Sequence, residues 1–294
     1  MTTSSTAPRA NAFAPFIPLL FVVLWSTGFI GAKLGLPDCE PLTLLSLRYA
    51  AVLLLMGAVA LATRAPWPAS GAQWMHIGVS GLLVHAVYLG GVFTAIRLGL
   101  PAGVTALVVG LQPVLTALGA GLFLRERVRA TQWAGLGLGL AGVVLVVSNK
   151  VAGGPSAAAL LVPAVIALVG ITAGTLYQKR FCASFDLRTG SVVQFLPCLA
   201  VTALAAWHTE TMVVHWTPAF MFALGWLVLV LSLGAVSLLN VLIRSGSAVN
   251  VASLFYLTPP TTALIAWAMF GETLTGLALA GMALAVLGVW LARK

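Results

Sequence analysis

Two copies of one short segment decide the fold: LRERVRATQWAG at residues 124–135 and FGETLTGLALAG at residues 270–281. They align without a gap at an offset of 146 residues, so that Glu126 corresponds to Glu272. Three arginines surround the first glutamate, whereas Gly, Thr and Thr occupy the equivalent positions around the second. Lysine and arginine are retained on the cytoplasmic side of a membrane. The pair therefore predicts one loop used twice, once on each side of a membrane.

The same offset relates most of the chain to itself. It pairs Gly28 with Gly174, Lys33 with Lys179, Thr43 with Thr189, Met75 with Met221, and Pro113 with Pro259. This self-similarity indicates a tandem duplication. We predict a first unit at residues 13–150 and a second at 151–294. Residues 1–12, rich in Ser, Thr and Ala, are expected to form a disordered cytoplasmic tail.

The composition predicts an all-α integral membrane protein, because 61% of the residues are hydrophobic and only 7% are charged. Apolar segments of about 20 residues, long enough to cross a hydrocarbon layer, recur between short polar breaks. We predict ten transmembrane helices, at residues 13–32, 42–63, 74–96, 101–124, 131–148, 158–178, 189–207, 219–243, 247–270 and 274–291.

Five spans in each unit force the second unit to enter the membrane from the opposite side, so the two repeats are predicted to have inverted topology. The charges agree: with both termini cytoplasmic, eleven Lys and Arg residues fall inside and only Lys33, Arg97 and Lys150 fall outside. The expected location is the inner (plasma) membrane. The net charge of +9 is spread over cytoplasmic loops, where anionic lipid explains it without nucleic acid.

Several local motifs follow this topology. They are Trp25-Ser26 in span 1, Pro41 with Arg48 opening span 2, Gln112-Pro113 in span 4, and the glutamates that close spans 4 and 9. With these motifs and five plus five spans, the chain resembles the drug/metabolite transporter superfamily, and within it the EamA-type carriers. The resemblance implies a carrier in which spans 1–4 and 6–9 surround a central cavity and spans 5 and 10 pack outside. Such carriers transport amino acids, sugar nucleotides, sugar phosphates, purines or lipophilic cations.

Arg48 is the one charge well inside a predicted span. A buried, unpaired arginine is costly in a membrane, about 2.5 to 3.5 kcal/mol at the helix centre. Two interpretations are open. Arg48 could bind a substrate carboxylate or phosphate, or it could form a structural ion pair with Asp38 or Glu40 in the preceding loop.

His85 falls at the centre of span 3, and Tyr88 is expected on the same helical face because it lies three residues further on. His85 could bind a polar substrate or carry a proton in coupled transport. It could equally be a neutral histidine that is hydrogen-bonded to a neighbouring helix. Its repeat mate is Leu231, so the duplication does not require a histidine there.

Prolines interrupt spans 4 and 9 at matching positions, Pro113 in the first unit and Pro259-Pro260 in the second. A proline removes the donor for the carbonyl four residues earlier, which predicts unpaired oxygens at Val109, Phe255 and Tyr256. Interrupted helices at equivalent points of two inverted repeats favour a binding site and hinge. The alternative is a static kink.

The predicted function is export of small neutral or zwitterionic metabolites, most of all amino acids, by alternating access. A site with few charges and several aromatic rings suits substrates of this kind, and the chain is similar in this to the YddG-type exporters of aromatic amino acids. The residues expected to line the site are Trp25, His85, Tyr88, Gln112, Tyr177 and Tyr256, with Arg48 as an addition.

Other classes of function fit less well. A sugar-nucleotide or organophosphate antiporter needs at least two deep cations for a dianion, and only Arg48 qualifies; a channel is a further alternative. The spans contain no carboxylate, which argues against proton-coupled export of lipophilic cations. The sequence contains no catalytic motif, so no enzyme, cofactor or metal is expected. Both a monomer and a homodimer are compatible with the sequence.

Overall fold

A computed structural model describes residues 16–100, 105, 108–148, 157–182, 184–270 and 274–294. Regular structure in these ranges is helical, apart from one antiparallel bridge between Cys39 and Val214. The first unit contains α1 (Ile17–Gly35), α2 (Pro41–Ala62), α3 (Gly71–Gly81), α4 (Tyr88–Arg97), α5 (Gln112–Gly119) and α6 (Ala130–Ser148). The second contains α7 (Ala157–Phe181), α8 (Leu187–Thr209), α9 (Pro218–Trp226), α10 (Val236–Ser245), α11 (Ala248–Ser253), α12 (Thr258–Phe270) and α13 (Gly276–Ala292).

Length and hydropathy identify the membrane segments. Within the described residues, six continuous helical stretches are long and apolar enough to cross a membrane, and four shorter apolar helices accompany them. The shorter ones are residues Ile17–Ala32, Gln112–Leu124, Ala130–Val146 and Gly276–Ala292. These helices confirm the predicted all-α membrane fold. The predicted tail at residues 1–12 lies outside the described residues, as does Glu272.

Short polar side chains begin several of the helices. The side chains of Ser70, Asp186, Thr217 and Ser247 each accept a hydrogen bond from a backbone N–H in the first turn that follows. Such caps satisfy donors that have no partner within the helix. Because these residues also interrupt the apolar runs, they mark in the sequence where each span starts.

Helix packing repeats between the two units. Helix α1 packs against α9, α10 and α12, and its repeat mate α7 packs against α3, α4 and α5, which are the mates of those helices. Helices α2 and α8 pack against each other, and so do α6 and α13. For these helices, each contact in one unit therefore has an equivalent contact in the other. The duplicated sequence produces a duplicated arrangement of helices.

Three spans depart from α-helical geometry near their middle. A π-helical segment (Leu82–Val87) joins α3 to α4, another (Leu227–Ala235) joins α9 to α10, and a 3₁₀ segment (Leu254–Leu257) joins α11 to α12. The first two lie at repeat-equivalent places. Helix α5 begins at Gln112, directly after a turn at residues 110–111.

The predicted interruptions at the prolines are therefore present, but one detail of the prediction was wrong. The carbonyl of Phe255, expected to be unpaired, accepts a hydrogen bond from the N–H of Thr258. The 3₁₀ turn shortens the bonding interval from four residues to three. It thereby supplies a donor where Pro259 removed one.

Loops at one end of the bundle are joined by carboxylates. Glu210, which follows α8, accepts hydrogen bonds of 2.7 Å from the backbone N–H groups of Leu42 and Thr43 at the start of α2. A negative charge at a helix N-terminus is stabilising. Glu40 accepts in turn from the N–H and hydroxyl of Thr211, and this interaction lowers the pKa of Glu40. We call the end of the bundle that holds Glu40 and Glu210 the cavity end, because the cavity described below lies nearer to it. The end with residues 63–70 and 182–186 is the opposite end.

Candidate functional site

A small cavity of about 30 Å³ lies in the half of the bundle nearer the cavity end. Helix α1 contributes Trp25 and Gly28 to its wall, α2 contributes Arg48, α4 contributes Tyr88, and the π segment before α10 contributes Leu231. The other described residues of the lining are apolar. In the part of the chain that the structure describes, the site is thus an apolar and aromatic chamber with one positive charge, formed by helices of both units.

Arg48 is 3% exposed and does not pair with a carboxylate within the described residues. Its Nε donates a 2.8 Å hydrogen bond to the hydroxyl of Ser232, which donates to the carbonyl of Leu227 at 3.1 Å. The proposed structural partners are engaged elsewhere: Asp38 accepts from the hydroxyl of Thr217, and Glu40 from Thr211. Of the two open interpretations of Arg48, the structural ion pair is therefore wrong.

Aromatic rings surround Trp25 on the side of the cavity. The ring of Tyr88 is nearly parallel to that of Trp25, with 6.3 Å between the centroids and 11° between the planes. Phe255 meets Trp25 edge-on at 5.4 Å, and Phe21 lies 5.2 Å from it. Such pairs are stabilising beyond the area they bury. They hold Trp25 and Tyr88 in place against the cavity.

His85 is not part of the cavity lining, whereas Tyr88 is. The ring of His85 stacks on Phe195 of α8, with 4.4 Å between centroids, and neither ring nitrogen has a hydrogen-bond partner among the described residues. The carbonyl of His85, which lies in the π-helical segment, accepts from the hydroxyl of Tyr49 at 3.1 Å. His85 therefore packs beside the cavity.

The other predicted site residues also lie outside the cavity lining. Tyr177 forms a 2.7 Å hydrogen bond between its hydroxyl and Nδ1 of His76, near the opposite end. Tyr256 is fully buried, and its ring packs directly against Gly139 of α6. Gln112 is fully buried, and its amide has no partner among the described residues. The structure brings Trp25, Arg48 and Tyr88 together, and separates the remaining four from them.

Sequence reasoning missed a hydrogen-bond chain of buried side chains in the half of the bundle nearer the opposite end. The amide nitrogen of Gln178 in α7 donates to Asn240 in α10 at 2.7 Å, and Asn240 donates to Gln194 in α8 at 3.4 Å. Gln194 donates in turn to the hydroxyl of Ser80 in α3 at 3.2 Å. This polar chain, Ser80–Gln194–Asn240–Gln178, ties four helices together where the cavity does not reach.

A signal for this chain was present in the repeat. Gln194 lies 146 residues after Arg48, so α2 and α8 each carry a long polar side chain at the same position. Ser232, the partner of Arg48, had no comparable signal, because serine is common in apolar spans as a residue that bonds to its own helix. Only the packing of α2 against the segment before α10 identifies it.

The geometry defines an all-helical membrane protein with a cavity between two related units. The family model described as "EamA-like transporter family" matches the chain twice, over residues 13–148 and 158–293. The chain therefore belongs to the EamA-like transporter family, in the drug/metabolite transporter superfamily, and the resemblance inferred from the sequence is confirmed.

Three curated relatives are similar over most of their length. A "Probable amino-acid metabolite efflux pump" of Salmonella typhimurium is 28% identical over 286 residues, covering 94% of this chain and 93% of the relative. The inner membrane transporter YedA of Escherichia coli is 25% identical over 270 residues, with coverage of 91% and 87%. A "Probable terminal-alkyne amino-acid exporter" of Streptantibioticus cattleyicolor is 28% identical over 292 residues, with coverage of 94% and 92%.

A solved structure shares the fold. It superposes with a TM-score of 0.78 at 24% sequence identity, and the match covers 96% of this chain and 97% of the other. At this identity the likeness concerns the fold alone.

Proposed function

We propose that the protein exports small amino-acid metabolites, including aromatic ones, across the inner membrane by alternating access. The observation that carries the proposal is the chamber between the two units, where one buried arginine faces the aromatic rings of Trp25 and Tyr88. Guanidinium groups bind carboxylates through two parallel hydrogen bonds, and aromatic walls suit an apolar side chain. The names of the curated relatives agree with this substrate class.

In the proposed mechanism the ten spans form two inverted repeats with both termini in the cytoplasm. The cavity end then faces outward, and the polar chain Ser80–Gln194–Asn240–Gln178 closes the cytoplasmic side. Release of this chain, together with closure of the cavity end, would produce the inward-facing state. Bending at Pro113 and at Pro259-Pro260 allows the two changes, because these helices already lack regular bonding at their middle.

Substrate contact is assigned to Trp25, Arg48 and Tyr88 in the conformation described. His85, Gln112, Tyr177 and Tyr256 stay predictions for contacts in another conformation. Gln112 is the strongest of these, because a buried amide without a partner is costly and a ligand or water would satisfy it. A sugar-nucleotide or organophosphate antiporter is less well supported, since the cavity lining holds a single cation.

The test is counterflow of labelled tryptophan into liposomes that contain the purified protein. Separate batches are preloaded with unlabelled neutral amino acids, UDP-sugars or sugar phosphates. Stimulation by amino acids, reduced severalfold in Trp25→Ala and Tyr88→Ala, is the expected result. Trp207→Ala is the matched control, because Trp207 is 74% exposed on the outer surface of α8. Stimulation by the phosphate compounds alone would refute the proposal, and flux without counterflow would indicate a channel.

A further inference from the structure

Among the described residues, no acidic side chain balances the charge that Arg48 contributes to the cavity wall. The guanidinium uses one of its five N–H donors in the bond to Ser232, and no other hydrogen bond or ion pair to it occurs within the described residues. Its terminal nitrogens are therefore the donors that an anionic ligand would bind.

The acidic residues of the chain can be followed individually, because there are only six. Five are described, and each interacts elsewhere: Asp38 with Thr217, Glu40 with Thr211, Glu126 with the N–H of Ala248, Asp186 with Arg188, and Glu210 with the start of α2. The sixth, Glu272, lies outside the described residues and outside the predicted spans. The described residues of the cavity wall thus offer a ligand one cation and no carboxylate.

This imbalance distinguishes between ligands of different charge. A carboxylate in contact with Arg48 neutralises the buried charge and gains charge-assisted hydrogen bonds. An ammonium group on the same ligand would lose its hydration without meeting an anion. The faces of Trp25 and Tyr88 attract a cation, but they are also the surface against which an apolar side chain packs. A second negative charge on the ligand would likewise lack a partner.

We infer that the cavity selects monocarboxylates whose nitrogen carries no charge, such as N-acylated amino acids and aromatic acids, over zwitterionic amino acids. This inference rests on the proposed function and specifies the charge of its substrate. Arg48 is the specificity-determining residue. Trp25 and Tyr88 contact the apolar part of the ligand and do not discriminate between ligands by charge.

A series of indole compounds tests the inference, because the compounds share the indole side chain and differ in net charge. Liposomes with the full-length protein are preloaded with N-acetyltryptophan (anion), tryptophan (zwitterion), N-acetyltryptophanamide (neutral) or tryptamine (cation), and uptake of labelled N-acetyltryptophan is measured. Protein-free liposomes correct for passive permeation. We expect the anion to exceed the zwitterion by about tenfold or more, because the ammonium group of the zwitterion loses its hydration without gaining an anionic partner, and we expect tryptamine to be inactive.

Variants of Arg48 assign the selection to one side chain. In Arg48→Gln the anion and the neutral amide should stimulate equally, whereas Arg48→Lys should keep part of the preference. Arg97→Gln, which removes an exposed arginine near the same end, should behave as the wild type. Because the wild-type series decides the question alone, a poorly folded variant does not remove the test.

The outcomes separate this inference from the function on which it rests. Transport of tryptophan equal to or better than N-acetyltryptophan would overturn the charge selection and leave the amino-acid exporter intact. Efficient transport of tryptamine would do the same. If none of the indole compounds is transported while UDP-sugars or sugar phosphates exchange, the proposed function fails and this inference fails with it.

Discussion

The seam between α1 and the π-helical segment that follows α9 borders the cavity, whereas the seam between α4 and α7 is packed differently. In the first seam, a Cβ placed on Gly28 would lie 3.2 Å from the side chain of Leu231, and one on Gly31 would lie 3.0 Å from Leu227. In the second, a Cβ on Gly91 would lie 2.5 Å from the carbonyl oxygen of Pro163. At these positions glycine meets side chains in the first seam and backbone in the second, although Gly174 of α7, the repeat mate of Gly28, also meets side chains, those of Val84 and Leu83.

The cavity borders the first seam, and none of its described lining residues comes from α7. Leucine side chains can change rotamer, so the first seam can widen at small cost. Helices in direct backbone contact cannot approach further, and the second seam is closed. The polar chain Ser80–Gln194–Asn240–Gln178 strengthens the closed half. Two seams of a duplicated chain are thus packed differently, and the proposed mechanism uses this asymmetry.

The strongest test compares Arg48 with its repeat mate Gln194. Arg48→Met should lower counterflow about tenfold or more through loss of a charge-assisted hydrogen bond. Its melting temperature in detergent should equal or exceed that of the wild type, because an uncompensated buried charge is removed. Gln194→Leu should instead lose about 1 to 3 kcal/mol of stability, since Ser80 and Asn240 lose a partner. If both variants were equally destabilised, Arg48 would be a structural residue.

Next, the two seams can be compared by adding one methyl group to each. Gly91→Ala should lower stability by about 1 to 3 kcal/mol, because the backbone of α7 cannot yield to the new Cβ. Gly28→Ala should change it little, because Leu231 can move. Both gain the same helix propensity, so the difference in melting temperature reports the steric contact. Equal melting temperatures would show that the seams are equally tight.

The proline positions provide a third test. Pro113→Ala and Pro259→Ala should reduce the counterflow rate severalfold while leaving half-saturation nearly unchanged, because a continuous helix bends less readily. Pro197→Ala in α8, also inside a helix, is the matched control outside the proposed hinges. A static kink predicts a small change in stability and no specific loss of rate.

The smallest effect is expected at Asp186, which caps α8. Hydrogen bonds from Arg188 lower the pKa of Asp186 from 3.8 to about 2. A carboxyl group with a lowered pKa stabilises the folded state above pH 4, and the contribution is lost as the pH falls towards 2. Asp186→Asn keeps the cap, so it should cost less than about 1 kcal/mol at pH 7, because the ion pair is partly exposed.

Melting temperatures of this variant and the wild type should converge between pH 4 and pH 2. A difference that persists at low pH would show that the ion pair is not its cause.

The sequence alone was sufficient for the helical membrane fold, the duplication, the interruptions at the prolines and the family. These properties depend on hydropathy, repeat spacing and backbone chemistry, which are local. It also identified Trp25, Arg48 and Tyr88 as members of the lining. It did not separate them from His85, Gln112, Tyr177 and Tyr256, because polar and aromatic residues inside spans look alike before their helices are packed.

Tertiary structure decided which of these residues share a cavity. The ring of His85 stacks on Phe195 rather than lining the cavity, Tyr256 packs against Gly139 of α6, and Ser232 is the partner of Arg48. Each outcome depends on a contact between residues far apart in the chain. The repeat predicted where equivalent helices lie, but how closely the helices pack at each seam is decided by the tertiary structure.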